Sequence, residues 1–213
     1  MTEALQGRSP PHRRRTGLQP WAPPIWLPGG CPQASPAAGL STRGALPTVP
    51  AMTAEDARLL ARLDALGIAT TTVRHPAMFT VAESKALRGE LPGGHSKNLF
   101  LKDKKGVLWL IVAAEDRAID LKALRPKIGS AALSFASAET LRRVLGVEPG
   151  SVTPFALIND REAQVRVVLD AGLLAQSPLN FHPLVNTATT AIAADDLLVF
   201  VRSCGHEPRI EAL

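Results

Sequence analysis

Four short stretches carry the residues able to do chemistry. The first is Lys97-Asn98, set directly before the apolar run Leu99-Phe100-Leu101 in GGHSKNLFLKDKKG. A lysine at the entry of a strand could act as a fixed cation. The second is Gly146-Val-Glu-Pro-Gly150-Ser-Val-Thr-Pro154, whose glycines let backbone N–H groups approach a ligand closely. The third is Asn159-Asp160, at the end of the apolar run Phe155–Ile158. The fourth is the polar loop Phe181-His182-Pro183-Leu184-Val185-Asn186-Thr187, ahead of a threonine-rich segment. Each also has a plainer reading. A lysine at a strand start is usually solvated. Gly150 and Pro154 are common turn formers. Asn159-Asp160-Arg161-Glu162 reads as a hairpin turn, and lone histidines such as His75 and His182 are more often structural than catalytic.

The usual devices of covalent and nucleotide chemistry are missing. There is no GxSxG, no HExxH, no Walker loop and no GxGxxG. The two cysteines, Cys31 and Cys204, form no CxxC and have no metal-ligand spacing, so neither a disulfide framework nor a cysteine-rich zinc site organises the chain. No cofactor and no metal is expected. The longest apolar run, Val107–Ala114, is strand-sized and too short to span a bilayer. These features point to a soluble protein and fit the cytoplasm.

The elements that must position the four stretches begin late in the chain. Residues 1–51 contain 10 of the 18 prolines, six of the 16 glycines, five arginines and one acid. Such a segment reads as a disordered extension, an Arg-rich targeting peptide or the product of an upstream start codon. Met52, followed at once by the helix-start signal Thr53-Ala-Glu-Asp56, is the favoured working start. The domain is therefore expected over 52–213. Residues 1–51 hold most of the net charge of +5, so the remainder is near neutral and is not a strongly basic nucleic-acid binder.

From Thr53, leucines 59, 60, 63 and 66 recur at helical spacing and Gly67 closes the helix. A strand is predicted over 68–75 and a short helix around 81–87. Lys97–Leu101 and Val107–Ala114 form two strands joined by the turn Lys102-Asp-Lys-Lys-Gly106. Short helices are predicted over 120–125 and 137–145, the latter capped by Ser137 and ended by Gly146. Strands follow at 155–158, 165–169 and 187–192, and Asp195 caps a last helix through Arg202. Strands and helices alternate irregularly, which predicts an α+β fold with a mixed, mostly antiparallel sheet and short packing helices.

The combination resembles the YbaK/prolyl-tRNA-synthetase-associated editing domains, most closely the free-standing ProX-type deacylases of alanyl-tRNA(Pro). The residues that carry the resemblance are His75-Pro-Ala-Met-Phe79-Thr-Val-Ala-Glu83, Lys97-Asn-Leu-Phe-Leu101, Gly150-Ser-Val-Thr-Pro154-Phe, Ile158-Asn-Asp160 and Phe181-His-Pro-Leu-Val-Asn-Thr187. They keep the family's order over about residues 53–204. His75-Pro-Ala-Met departs mildly from the more usual His-Pro-Pro-Val entry.

The resemblance implies an ester substrate, a mischarged amino acid on the terminal ribose of tRNA. It places the family's lysine on Lys97, the substrate-loop glycine on Gly150 and the alanine-branch histidine on His182. An activated ester needs positioning and charge stabilisation more than a strong nucleophile. Lys97 would face the terminal phosphate or the ester carbonyl, and N–H groups of the Gly150–Ser151 turn would hold the carbonyl oxygen. His182 would shape the amino-acid pocket or hold water. Asn98, Ser151, Pro154, Asn159, Asp160, Asn186 and Thr187 are the expected substrate-binding or supporting residues. Lys102, Lys104, Lys105 and Arg88 are candidate tRNA contacts. A prolyl-tRNA synthetase or an elongation factor is a further candidate partner. Three alternatives stay open: a deacylase for another small mischarged residue such as cysteine or serine, a non-catalytic RNA- or protein-binding module on the same fold, and a nucleic-acid binder driven by residues 1–51.

Overall fold

The computed structural model describes residues 53–76 and 91–213. The first helix, α1 (Ala54–Ala65), starts at a reciprocal capping box: the Asp56 N–H donates to Thr53 Oγ1 and the Thr53 N–H donates to the Asp56 carboxylate, both at 3.2 Å. Leu59 and Leu63 are its buried stripe. The strands that follow are β1 (Thr70–Arg74), β2 (Gly94–Asp103), β3 (Leu108–Ala114), β4 (Leu133–Phe135), β5 (Val165–Asp170), β6 (Leu179–Phe181), β7 (Ala188–Ile192) and β8 (Arg209–Glu211). The helices are α2 (Leu121–Ile128), α3 (Ala138–Leu145), the short α4 (Ala171–Leu174) and α5 (Ala194–Ser203), with a 3-10 helix over Pro154–Asn159.

The strands form one mixed sheet in the order β1-β7-β6-β2-β3-β5-β8, with β4 paired to the lower half of β2. The β1–β7, β6–β7, β2–β3 and β2–β4 pairs are antiparallel; β2–β6, β3–β5 and β5–β8 are parallel. All seven residues of β3 are buried, as a central strand covered on both faces requires. One face packs Leu110, Val112 and Leu169 against α1, α3 and α5 through Leu59, Leu145 and Phe200. The other packs Leu101, Trp109, Ile111 and Val168 against Leu124 and Ile128 of α2.

Three sequence expectations are corrected. The segment 155–158 is not a strand. Thr153 accepts from the Phe155 N–H and Pro154 occupies the first helical position, a pairing that starts a helical turn. The second correction concerns β2, which begins at Gly94 rather than Lys97, because the Gly94 N–H donates to the Pro178 carbonyl at 2.8 Å. Gly93 and Gly94 therefore form a tight crossing with Pro178. A Cβ on Gly93 would stand 2.1 Å from the Pro178 oxygen. The third is the last helix, whose cap is Ala193, with Asp195 and Asp196 in the first turn, where their charge complements the helix dipole. The expected helix at 81–87 lies outside the described residues.

Candidate active site

Three of the four chemical stretches meet beside the upper half of β2. Helix α3 is capped by Ser137 and stops at Gly146, whose φ of 64° is left-handed. A side chain there would crowd the Asn159 amide at 2.8 Å. The loop then turns at Glu148, whose carbonyl accepts from the Ser151 N–H at 2.9 Å. Arg142 holds the Glu148 carboxylate at 2.7 Å and steadies the turn from α3. Gly150 has φ 93°, and a Cβ there would meet nothing within 4 Å. Here glycine is required by backbone conformation, and the space beside it is open. The Ser151 N–H is spent inside the turn, so it is not a free oxyanion donor, contrary to expectation. The Gly150 N–H makes no hydrogen bond within the described residues.

Asn98 ties this loop to the sheet: its amide donates to the Val152 carbonyl at 2.9 Å. Asn98 Oδ1 is buried and has no hydrogen-bond partner among the described residues. Below the loop, Phe155 packs edge-on against Phe181 at 5.8 Å and Phe200 at 5.4 Å. The Phe155–Phe181 contact brings the loop after Gly150 next to the loop that starts with His182.

That second loop runs from His182 to Thr187. His182 donates from Nδ1 to the Ala188 carbonyl at 3.1 Å, stapling the two ends of the loop. Leu184 holds a φ of 70°, a strained conformation for a branched residue and a recurrent feature of functional loops. Burial lowers the His182 pKa below its ordinary value; the Ala188 carbonyl opposes the shift, and the nearby His75 adds to it. The ring is therefore neutral at physiological pH. His75 itself is buried, its Nδ1 facing the Pro76 carbonyl at 2.9 Å and its Nε2 the Thr189 hydroxyl at 3.0 Å. The Thr187 carbonyl accepts from the His75 N–H at 3.0 Å, and Asn186 lies in the turn just before it.

Lys97 points elsewhere. It stands opposite Ala113 on β3, and its ammonium donates to the Arg117 carbonyl in the turn after β3. That turn lines a cleft of about 390 Å³ with Ala114, Asp116, Ala118, Gly172 and Gln176. Arg117 reaches across to the fully buried Asp170 at 3.7 Å. Neither Arg117 nor Asp170 stood out in the sequence, because they are far apart along the chain and belong to no motif.

The remaining expected residues are in structural use. Pro154 opens the 3-10 helix. Asn159 donates to the Leu145 carbonyl at 2.9 Å and accepts from Arg58 at 2.6 Å. Asp160 is buried and accepts from the N–H groups of Gln164 and Val165 at 3.2 and 2.9 Å. Ser151 is buried in its turn. Lys102, Lys104 and Lys105 are exposed around the β2–β3 turn, at the opposite end of β2 from Gly94. Arg88 lies outside the described residues. Among the described residues, no group of three or more His, Cys, Asp or Glu side chains could hold a metal ion. No described helix is long and apolar enough to cross a membrane.

Comparison with known proteins places this geometry. Residues 75–200 match the aminoacyl-tRNA editing domain family, a span that contains Lys97, Gly150 and His182. The chain is 40% identical over 149 residues to the prolyl-tRNA editing protein ProX of Acetoanaerobium sticklandii, covering 70% of this chain and 91% of that one. It is 41% identical over 159 residues to the prolyl-tRNA synthetase associated domain-containing protein 1 of Mus musculus, covering 72% and 94%. A solved structure described as a candidate trans-editing enzyme for prolyl-tRNA synthetase superposes with a TM-score of 0.59 at 20% identity, covering 75% of this chain and 98% of that one; it shows the shared fold. On the family match and on these two relatives, the chain belongs to the aminoacyl-tRNA editing domain family.

Proposed function

We propose that this protein is a free-standing deacylase that hydrolyses Ala-tRNA(Pro) and so protects translation from mischarged tRNA. The 40% identity to a prolyl-tRNA editing protein over 91% of that relative's length carries the reading. The site supports it. Gly150 leaves open space at a backbone position tied to β2 through Asn98, where a small ester can lie against the chain.

In the reaction, water adds to the ester carbonyl, the acyl–oxygen bond to the ribose breaks, and alanine and free tRNA leave. The Gly150 N–H is the backbone donor for the developing oxyanion. Lys97 supplies the cation, once substrate draws its ammonium from the Arg117 carbonyl to a phosphate or to the ester oxygen. The neighbouring ribose hydroxyl orients the water. His182, Asn186 and Thr187 shape the amino-acid pocket. Asn98 and Ser151 hold the loop in register, while Pro154, Asn159 and Asp160 support it from behind. Clash excludes the proline ring; favourable contact alone discriminates one methylene by only about 1–3 kcal/mol.

The exposed Lys102, Lys104 and Lys105 contact the tRNA backbone, with Arg88 a further candidate, and binding weakens as salt rises. Prolyl-tRNA synthetase or an elongation factor hands over the substrate, in the cytoplasm. The catalytic domain is 52–213, and residues 1–51 are dispensable for catalysis. A panel of Ala-, Ser-, Cys- and Pro-tRNA(Pro) tests the proposal, with the full chain and a chain starting at Met52 run side by side. Fast loss of alanine, with the proline ester spared by both proteins, is the expected result. Rapid hydrolysis of Pro-tRNA(Pro) would overturn steric exclusion, and inactivity on every ester would favour a binding module.

A further inference from the structure

His75 carries a motif position yet touches neither Gly150 nor Lys97, and the mechanism above leaves it unused. Its contacts are unusually concentrated. The backbone N–H holds the Thr187 carbonyl and the ring holds the Thr189 hydroxyl, each at 3.0 Å. His182 holds the residue between them, through the Ala188 carbonyl at 3.1 Å. Two histidines from distant parts of the chain thus grip three consecutive residues at the start of β7.

The partners fix both tautomers. A carbonyl can only accept, so the Pro76 oxygen places the proton of the neutral His75 ring on Nδ1. His75 Nε2 then accepts from the Thr189 hydroxyl. By the same logic the Ala188 carbonyl places the His182 proton on Nδ1. His182 Nε2 keeps its lone pair and has no partner among the described residues.

We propose that His75 is a positioning residue for His182: by clamping Thr187 and Thr189 it aims the Ala188 carbonyl at His182 Nδ1 and leaves His182 Nε2 as a bare hydrogen-bond acceptor for a donor on the substrate side. The inference rests on the deacylase reading and deepens it. The donor is the attacking water or the ammonium of the bound amino acid. A ring presented in the wrong tautomer cannot accept there, and in a histidine-dependent hydrolase that error alone costs as much as about 10⁴ in kcat.

The test uses the full-length protein and nitrogen-15 long-range spectra of the histidine rings, beside kinetics on Ala-tRNA(Pro). In the wild type His182 shows the Nδ1–H pattern. His75→Leu and Thr189→Val move it toward a mixture of tautomers and lower kcat by about 10-fold or more, with KM held within about twofold. His75→Gln, whose side-chain oxygen can still accept from Thr189, recovers most of the rate. Unmoved His182 signals in both His75→Leu and Thr189→Val would overturn the proposal, as would a rate loss matched by loss of folded protein. Thr189→Val removes a single hydroxyl and keeps the test alive should His75→Leu not fold. If the wild type fails to hydrolyse the ester, the deacylase reading falls, and the tautomer spectra still decide the role of His75.

Discussion

Lys97 and Asn98 are adjacent in β2 and part at once: the Lys97 ammonium reaches the Arg117 carbonyl, while the Asn98 amide reaches the Val152 carbonyl at 2.9 Å. Strand alternation sends neighbours to opposite faces of a sheet, so one dipeptide serves two loops. The two residues should therefore fail differently. Lys97 is half-exposed and holds one carbonyl, so Lys97→Ala leaves the melting temperature nearly unchanged. It lowers kcat/KM by about 100-fold or more, the scale of a lost oxyanion stabiliser at about 2.7–4 kcal/mol. Lys97→Arg does not restore the rate, because a planar fork cannot replace a compact ammonium. Single-turnover deacylation beside thermal melts checks this, and equal rates for wild type and Lys97→Ala would remove Lys97 from the mechanism.

Asn98→Ala takes away the tie to Val152 and the orphaned Oδ1 together. The stability cost is about 1 kcal/mol for one hydrogen bond. The Gly150 loop then loses its anchor to β2, and kcat/KM falls while Lys97 stays in place. Urea midpoints and kinetics on the same preparation separate the two effects. A variant that is destabilised yet fully active would show that the loop needs no anchor.

Gly150 offers a sharper probe, because a Cβ there meets no protein atom within 4 Å. Gly150→Ala is disfavoured by backbone conformation alone, at about 1–2 kcal/mol. The fold survives that loss. If the open space is where the ester lies, the added methyl displaces the substrate, and misplacement on the ångström scale costs about 100-fold in rate. Folding measured by melting and activity on Ala-tRNA(Pro) should thus diverge strongly. A small and equal loss in both would locate the ester elsewhere.

What the sequence disclosed follows the range of the interaction. The Thr53–Asp56 box, the Ser137 cap and the left-handed Gly146 all close within a few residues, so local spacing predicts them. The turn at Gly106 is likewise local, its N–H donating to the Asp103 carbonyl at 2.9 Å. The start of β2 depends on Pro178, and the clamp on Thr189 on a histidine 114 residues away; no periodicity reports such contacts. The run Phe155–Ile158 misled for a different reason. Its apolar residues are buried as a strand's would be, but the proline at position 154 and the threonine before it set a helical turn instead. Motif order offered Gly150 and His182 as site residues; it could not foresee that the Ser151 N–H is consumed by Glu148.

Asp103 supplies a prediction independent of the catalytic site. Its carboxylate accepts from the N–H groups of Lys105, Val107 and Ala131 at 2.8, 3.0 and 3.2 Å, holding the β2–β3 turn against the approach to β4. Burial pushes its pKa up, but these donors outweigh it, and the net shift is downward. A carboxylate with a depressed pKa in the folded state stabilises the protein above its unfolded value of about 3.9. That contribution disappears as pH falls through the lower folded value. Asp103→Asn should therefore cost about 1–3 kcal/mol at pH 7, where charge-assisted bonds are replaced by neutral ones. The gap between wild type and variant should close as urea unfolding is repeated at pH 5, 4 and 3. The kcat for Ala-tRNA(Pro) per folded molecule should stay near that of the wild type at pH 7, since the turn lies at the far end of β2 from Gly94, while KM carries any effect on Lys102, Lys104 and Lys105 in the same turn. A stability gap that does not change with pH would mean that the shape of the side chain, rather than its charge, holds the turn.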